Sequence, residues 1–125
     1  MPSKVLIVDD DPLFRVLYKN HLERAGFTLL TAKDGAEAVE MAAREQPQLV
    51  FMDIIMLQMG GLAALKQLKS AEATKGIPVV IVTGSVASDH QTIRRECENY
   101  GAAGFLTKPF SPEQLLAEVR RLAAD

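Results

Sequence analysis

Leu49-Val50-Phe51-Met52-Asp53 constrains the fold of this chain more than any other stretch: an unbroken apolar run that ends on a carboxylate. It lies between the breaker Pro47 and the pair Gly60-Gly61. A run of this length without alternation suits a central parallel strand covered on both faces. Asp53 then stands at the carboxyl end of that strand, where open α/β sheets bind their ligands. What else the chain brings to that edge decides its chemistry.

The rest of the chain alternates in the same way. Lys4 to Val8 reads as a strand ending in Asp9-Asp10-Asp11, with Pro12 at a first helical position and Asp11 as its N-cap. Phe14, Leu17, Tyr18, His21, Leu22 and Ala25 follow at helical spacing, and Gly26 supplies a left-handed stop. His21 reads as a boundary residue. Phe27 to Ala32 is a second strand, turned by Asp34-Gly35 into an alanine-rich helix from Ala36 to Glu45. After the opening strand, Leu62, Leu65 and Leu68 mark a third helix, and Val79 to Val82 form a fourth strand ending on Thr83-Gly84-Ser85.

Ser88 and Gln91 have capping-box spacing ahead of a helix whose inward positions are Ile93, Cys97 and Tyr100. A fifth strand, Gly104 to Thr107, runs into Lys108-Pro109. Ser111-Pro112-Glu113-Gln114 opens a last helix that turns Leu115, Leu116, Val119, Leu122 and Ala123 inward. Five strands alternating with five helices imply a parallel sheet with helices on both faces.

Composition excludes several classes of protein. With 48% hydrophobic and 24% charged residues in 125, the chain can bury a real core and is not a disordered segment. No window reaches the ~20 apolar residues of a membrane helix, and the first apolar run, four residues long, is too short for a signal-peptide core. A cytoplasmic location is therefore expected. Fourteen basic against sixteen acidic residues, with no basic stripe, argue against direct nucleic-acid binding. The single cysteine, Cys97, reads as a packed core thiol and excludes an internal disulfide or a cysteine zinc cluster.

If the strands are parallel, Asp9-Asp10, Asp53, Thr83 and Lys108 meet at one edge of the sheet. Three carboxylates at close range need a compensating charge. Oxygen-only donors favour Mg²⁺, with Mn²⁺ as the alternative, over zinc. Lys108 adds a second positive charge and Thr83 a hydroxyl donor. Each residue alone has a plain structural explanation, as a helix cap, a strand-end hydroxyl or a solvated charge. Jointly they form a set suited to phosphoryl groups, in which a carboxylate can attack phosphorus while cations neutralise the oxygens around it.

In this order and spacing, Asp9-Asp10, Asp53, Thr83 and Lys108-Pro109-Phe110 resemble the receiver domains of two-component response regulators, and the single-domain chemotaxis receivers in particular. The resemblance covers residues 1–125 as one receiver domain. It implies a flavodoxin-like (βα)5 sheet in strand order 2-1-3-4-5. It implies that Asp53 accepts a phosphoryl group from a histidine kinase or phosphotransfer protein, a signalling role that assists its own phosphorylation and dephosphorylation rather than that of an enzyme. Asp10 and Asp53 would bind Mg²⁺ directly, Asp9 assisting and the Ile55 backbone carbonyl adding a ligand. Lys108 would pair with Asp53 or its phosphoryl oxygens, across a cis Lys108-Pro109 bond. Thr83 would move toward the phosphoryl group, and Phe105 would report that movement on a face offered to a downstream output protein or domain.

Ile55 and Leu57 depart from the family pattern, in which a polar side chain and a proline are frequent at those places. Ser85 is small and weakly polar. An isoleucine at 55 cannot orient a water for attack on an aspartyl phosphate, so slow self-dephosphorylation is expected.

Two rival readings stand beside this one. Asp9-x-Asp11 also resembles the nucleophile and acid/base pair of haloacid-dehalogenase-type phosphatases. That family needs an acidic metal pair after its lysine, where this chain has only Glu113, Glu118 and Asp125, and it would leave Asp53 idle. A phosphorylation-independent docking module of the same fold would not need the full acidic set. Arg94, Arg95, Glu96 and Glu98 read as a solvated helix surface rather than a partner face, which leaves homodimerisation on phosphorylation open. The partner kinase, the output and any attached domain are not written in these residues.

Overall fold

The structure is a computed structural model that describes residues 3–54, 61–84, 90–108 and 110–123. Strands β1 (Lys4–Val8), β2 (Thr28–Ala32), β3 (Leu49–Asp53), β4 (Val79–Thr83) and β5 (Gly104–Thr107) alternate with helices α1 (Pro12–Arg24), α2 (Gly35–Glu45), α3 (Gly61–Ser70), α4 (His90–Asn99) and α5 (Pro112–Ala123). All strand pairings are parallel, and the sheet order is β2-β1-β3-β4-β5. This is the flavodoxin-like order that the family resemblance implied, with its switch point between β1 and β3.

Strand alternation splits the core into two layers. Leu6, Val8, Val50, Met52 and Ile81 face Ala38, Ala42, Leu65, Leu68 and Cys97. Val5, Ile7, Phe51, Val80 and Val82 face Tyr18, Leu22, Leu115 and Val119. Every residue of β3 and β4 is buried, which is why neither strand shows an apolar–polar alternation in sequence. Each large side chain enclosed this way contributes about 1.5–3 kcal/mol, and together they hold the strand ends in a fixed frame.

Local signals set the helix ends. Asp11 accepts from the Leu13 N–H at 2.9 Å, ahead of Pro12 at the first helical position. Gly26 closes α1 with φ +94°. The capping box of α5 is reciprocal: Ser111 Oγ accepts from the Gln114 N–H at 3.1 Å, and Gln114 Oε1 accepts from the Ser111 N–H at 2.8 Å. At α2 the turn read at Asp34-Gly35 is already a cap. Asp34 accepts from the Glu37 N–H at 2.9 Å while Glu37 Oε1 accepts from the Lys33 N–H at 3.1 Å, so the helix begins at Gly35. The pair Ser88/Gln91 involves residue 88, which lies outside the described residues.

One inward assignment is corrected, and two residues at helical spacing fall outside the buried stripe. Leu17 is 40% exposed and Ala25 is exposed, because α1 packs through Tyr18 and Leu22 and turns Leu13, Val16 and Leu17 outward. Tyr100 is also exposed: it falls just past the end of α4, where the chain turns, and its ring lies under Lys66 Nζ at 4.4 Å. Cys97 is fully buried, as expected, and His21 is half-buried.

Candidate functional site

The acidic residues converge at the carboxyl edge of the sheet because their strands pair in register. Val8 of β1 stands opposite Met52 of β3, so Asp9 and Asp53, one residue further along each strand, end side by side. The Asp9 N–H donates to Ala32 O at 3.2 Å and the Ile54 N–H to Val82 O at 2.9 Å, which ties both strand ends to their neighbours. Asp9 and Asp53 are buried and Asp10 is exposed. One carboxylate oxygen from each of the three lies within 4.8 Å of the others.

Lys108 enters from the end of β5. Its backbone N–H donates to Thr83 O at 2.7 Å. Its ammonium stands 2.8 Å from Asp9 Oδ2 and 3.1 Å from Asp53 Oδ2, with the side chain 13% exposed. Burial alone would lower the Lys108 pKa, but contact with Asp9 and the charges of Asp53 and Asp9 outweigh it and hold the ammonium above the ordinary lysine value. The cation also lies over the Phe14 ring, 4.2 Å from its centroid.

Among the described residues, one positive charge set against three carboxylates leaves the cluster with excess negative charge. Asp9 Oδ1 accepts from the Asp11 N–H at 2.8 Å. Asp9 Oδ2 is fully enclosed and forms an ion pair with Lys108 at 2.8 Å, and it has no hydrogen-bond partner among the described residues. An all-oxygen set with an orphaned buried carboxylate oxygen fits a hard divalent cation, Mg²⁺ in kind.

Of the other residues singled out in sequence, Thr83 is buried at the end of β4, opposite Thr107 of β5. Phe105 is half-buried, packs against the layer that contains Cys97, and carries the Arg94 guanidinium 5.7 Å from its ring centroid. Arg94, Arg95, Glu96 and Glu98 are exposed, and Arg94 pairs with Glu98 along the helix at 3.5 Å. Ile55, Leu57, Ser85 and Pro109 lie outside the described residues.

Sequence reading missed the aromatic wall behind the site. Tyr18 packs on Phe51 at 5.7 Å and on Phe110 at 5.4 Å, and Phe110 meets Phe14 at 6.0 Å. Burial, and then the charges of Asp9 and Asp53, push the Tyr18 phenol far above its usual range, so it stays protonated beside the acids. The i, i+4 spacing of Phe14 and Tyr18 was the available signal.

Comparison with known proteins agrees with this geometry. The response regulator receiver domain family model matches residues 5–120. Protein PilH of Pseudomonas aeruginosa is 36% identical over 122 residues, covering 98% of both chains. The alkaline phosphatase synthesis transcriptional regulatory protein PhoP of Bacillus subtilis is 33% identical over 98% of this chain but 49% of its own length, and the chain spans about half of several other curated relatives. Among solved structures, the Vibrio cholerae chemotaxis protein CheY4 superposes with a TM-score of 0.88 at 31% identity, over 98% of this chain and 99% of that one. The receiver domain of the sensor histidine kinase PA1611 from Pseudomonas aeruginosa, solved with a magnesium ion in its active-site cleft, shares the fold with a TM-score of 0.87 at 23% identity over the whole of both chains. Residues 5–120 fit the family model from the first strand to the last helix, and by that match the chain belongs to the response regulator receiver domain family.

Proposed function

We propose that residues 1–125 act as one receiver domain in the cytoplasm, taking a phosphoryl group onto Asp53 from a histidine kinase or phosphotransfer protein. The observation that carries this reading is the convergence of Asp53, Asp9, Asp10 and the Lys108 ammonium at the carboxyl edge of the sheet. A carboxylate oxygen of Asp53 forms a bond to phosphorus as the P–N bond of the phosphohistidine donor breaks, and the imidazole leaves. Lys108, already 3.1 Å from Asp53 Oδ2, neutralises charge on the transferred oxygens. Mg²⁺, or Mn²⁺ in its place, held by Asp9, Asp10, Asp53 and the Ile55 carbonyl, would offset the mutual repulsion of the acids and the charge of the incoming group. Thr83 supplies a hydroxyl to the phosphoryl group, and Phe105 passes its movement to a partner-binding face. The domain thereby assists its own phosphorylation and dephosphorylation without turning over a substrate.

The names of PhoP and of RpaA from Synechocystis speak of transcriptional regulation and DNA binding. Both are about twice the matched length. The role proposed for residues 1–125 is receipt of the signal, with an output protein or domain, and not this domain, meeting nucleic acid. Homodimerisation on phosphorylation belongs to the same proposal.

Incubation with acetyl phosphate and Mg²⁺ followed by intact mass measurement tests it. One phosphoryl group is expected on the wild type and none on Asp53→Ala. Continuous release of phosphate without retention would instead favour a phosphatase using Asp9 and Asp11. An unmodified wild type, where a control receiver is modified, would favour a docking module.

A further inference from the structure

Among the described residues the Lys108 ammonium meets three groups at the site, two of them carboxylates. Besides Asp9 Oδ2 at 2.8 Å and Asp53 Oδ2 at 3.1 Å, its ammonium lies over the Phe14 ring. That ring does not stand alone. Phe14 packs on Phe110, Phe110 on Tyr18, and Tyr18 on Phe51, with centroid separations of 6.0, 5.4 and 5.7 Å. Tyr18 and Phe51 are enclosed by the core, and Phe51 precedes Asp53 by two positions on β3, on the same face of the sheet. A contiguous aromatic stack therefore runs from the lysine to the strand that carries the acceptor.

We propose that Phe14 is a positioning residue for the phosphoryl chemistry: the face of its ring holds the Lys108 ammonium at the site independently of the carboxylates. The proposal rests on the reading of Asp53 as phosphoacceptor. Asp9 and Asp53 are the groups that a divalent metal would engage, and that engagement draws their charge away from the lysine. The ring quadrupole is unaffected by that engagement. Among the described residues Phe14 is the ring of the stack that lies under a cation, and it is half-buried, so the attraction is partly shielded from water. An aliphatic residue of similar size would fill the gap against Phe110 but offer the cation no π face. Cation–π attraction at such a site corresponds to a population ratio of about two- to thirtyfold in favour of the docked ammonium.

The test uses the full chain as wild type, Phe14→Leu, Phe14→Met, Phe14→Tyr, Lys108→Ala and the double variant Phe14→Leu/Lys108→Ala. Proton–carbon NMR of the metal-free proteins, with the Lys108 signal assigned by its loss in Lys108→Ala, reads the contact itself. The Lys108 ε-protons are expected upfield in wild type and Phe14→Tyr, and at an ordinary lysine position in the Leu and Met variants. Phosphorylation by acetyl phosphate is expected to slow by about three- to thirtyfold in Phe14→Leu and Phe14→Met, to recover to within about twofold of wild type in Phe14→Tyr, and to change by less than about twofold when Phe14→Leu is made without Lys108. Equal slowing with and without Lys108 would make Phe14 a packing residue and overturn the proposal, as would Lys108 signals that ignore the ring. Should Phe14→Leu fail to fold, Phe14→Met and Phe14→Met/Lys108→Ala carry the same comparison. A phosphorylated wild type with an unslowed Phe14→Leu defeats the proposal alone. A wild type that accepts no phosphoryl group, while Lys108 still senses the ring, defeats the phosphoacceptor reading and the proposal with it.

Discussion

The backbone N–H of Lys108 donates to the carbonyl oxygen of Thr83 at 2.7 Å, so the lysine and the buried hydroxyl residue are joined through their main chains at the ends of β5 and β4. The lysine's stem is thereby anchored to the sheet while its ammonium is shared between Asp9 and Asp53. Movement at either strand end is mechanically linked to the other.

Replacing Lys108 by Met leaves the enclosed Asp9 carboxylate facing Asp53 with no counter-charge among the described residues. Breaking a buried ion pair in this way costs about 3–5 kcal/mol. Urea unfolding at pH 7 without divalent cations is expected to show a loss of that order. Added Mg²⁺ is expected to restore part of it, by roughly 2.7 kcal/mol at a hundredfold excess over Kd. Stability equal to wild type in metal-free buffer would mean that the lysine does not compensate the acids.

Asp34 caps α2, and its carboxylate, 9% exposed, is held by the Glu37 N–H at 2.9 Å. Asp34→Ala is expected to lower stability by about 0.5–2 kcal/mol, measured by thermal or urea unfolding. Phosphorylation of Asp53 is expected to be unchanged, because the Asp34 carboxylate is tied to the α2 N-terminus and is not one of the three acids of the cluster.

Burial, reinforced by Glu96 and Glu98, pushes the Cys97 thiol up to about 11 from its ordinary 9.0. The folded state therefore keeps the proton that the unfolded chain releases above pH 9, and Cys97 becomes a liability as pH rises from 9 to 11. Compared with Cys97→Ala, the wild type is expected to lose about 2–3 kcal/mol across that window. Below pH 9 the difference between the two should be flat. A pH-independent difference throughout would show that the thiol titrates alike in both states.

Ile55 lies outside the described residues, and the chemistry of its side chain carries the next expectation by itself. An alkyl group two positions after Asp53 cannot hydrogen-bond an attacking water. Ile55→Asn is expected to shorten the lifetime of the aspartyl phosphate by about a hundredfold, the lower end of the range for positioned proton-transfer groups. Phosphate loss followed from purified phosphoprotein reads this directly, and equal lifetimes would refute it.

Much of this protein was legible in order and spacing. The fully apolar runs of β3 and β4 announced strands covered on both faces, and the structure buries every residue of both. Parallel topology then obliged the acids after β1 and β3, Thr83 after β4 and Lys108 after β5 to share one edge. The Asp11 and Ser111 caps could be read because their hydrogen bonds are local. So, in retrospect, could the Asp34–Glu37 cap, which has the same spacing and was read as a turn.

What only the tertiary structure decided depends on side chains distant in sequence. Leu17 and Tyr100 fit a helical apolar pattern, yet the packing direction of α1 and the turn after α4 leave them at the surface, since periodicity marks a stripe without saying which edge of it is covered. That Lys108 meets Asp9 as closely as Asp53, and rests on Phe14, follows from where β5 ends relative to α1 and the β1 loop. The sequence by itself determined which chemical groups reach the sheet edge, because strand ends are written in local patterns and parallel strands bring all those ends to one edge. The tertiary structure decided which of them touch, because a contact of 2.8 Å between residues 9 and 108 is set by the packing of the whole sheet and its helices.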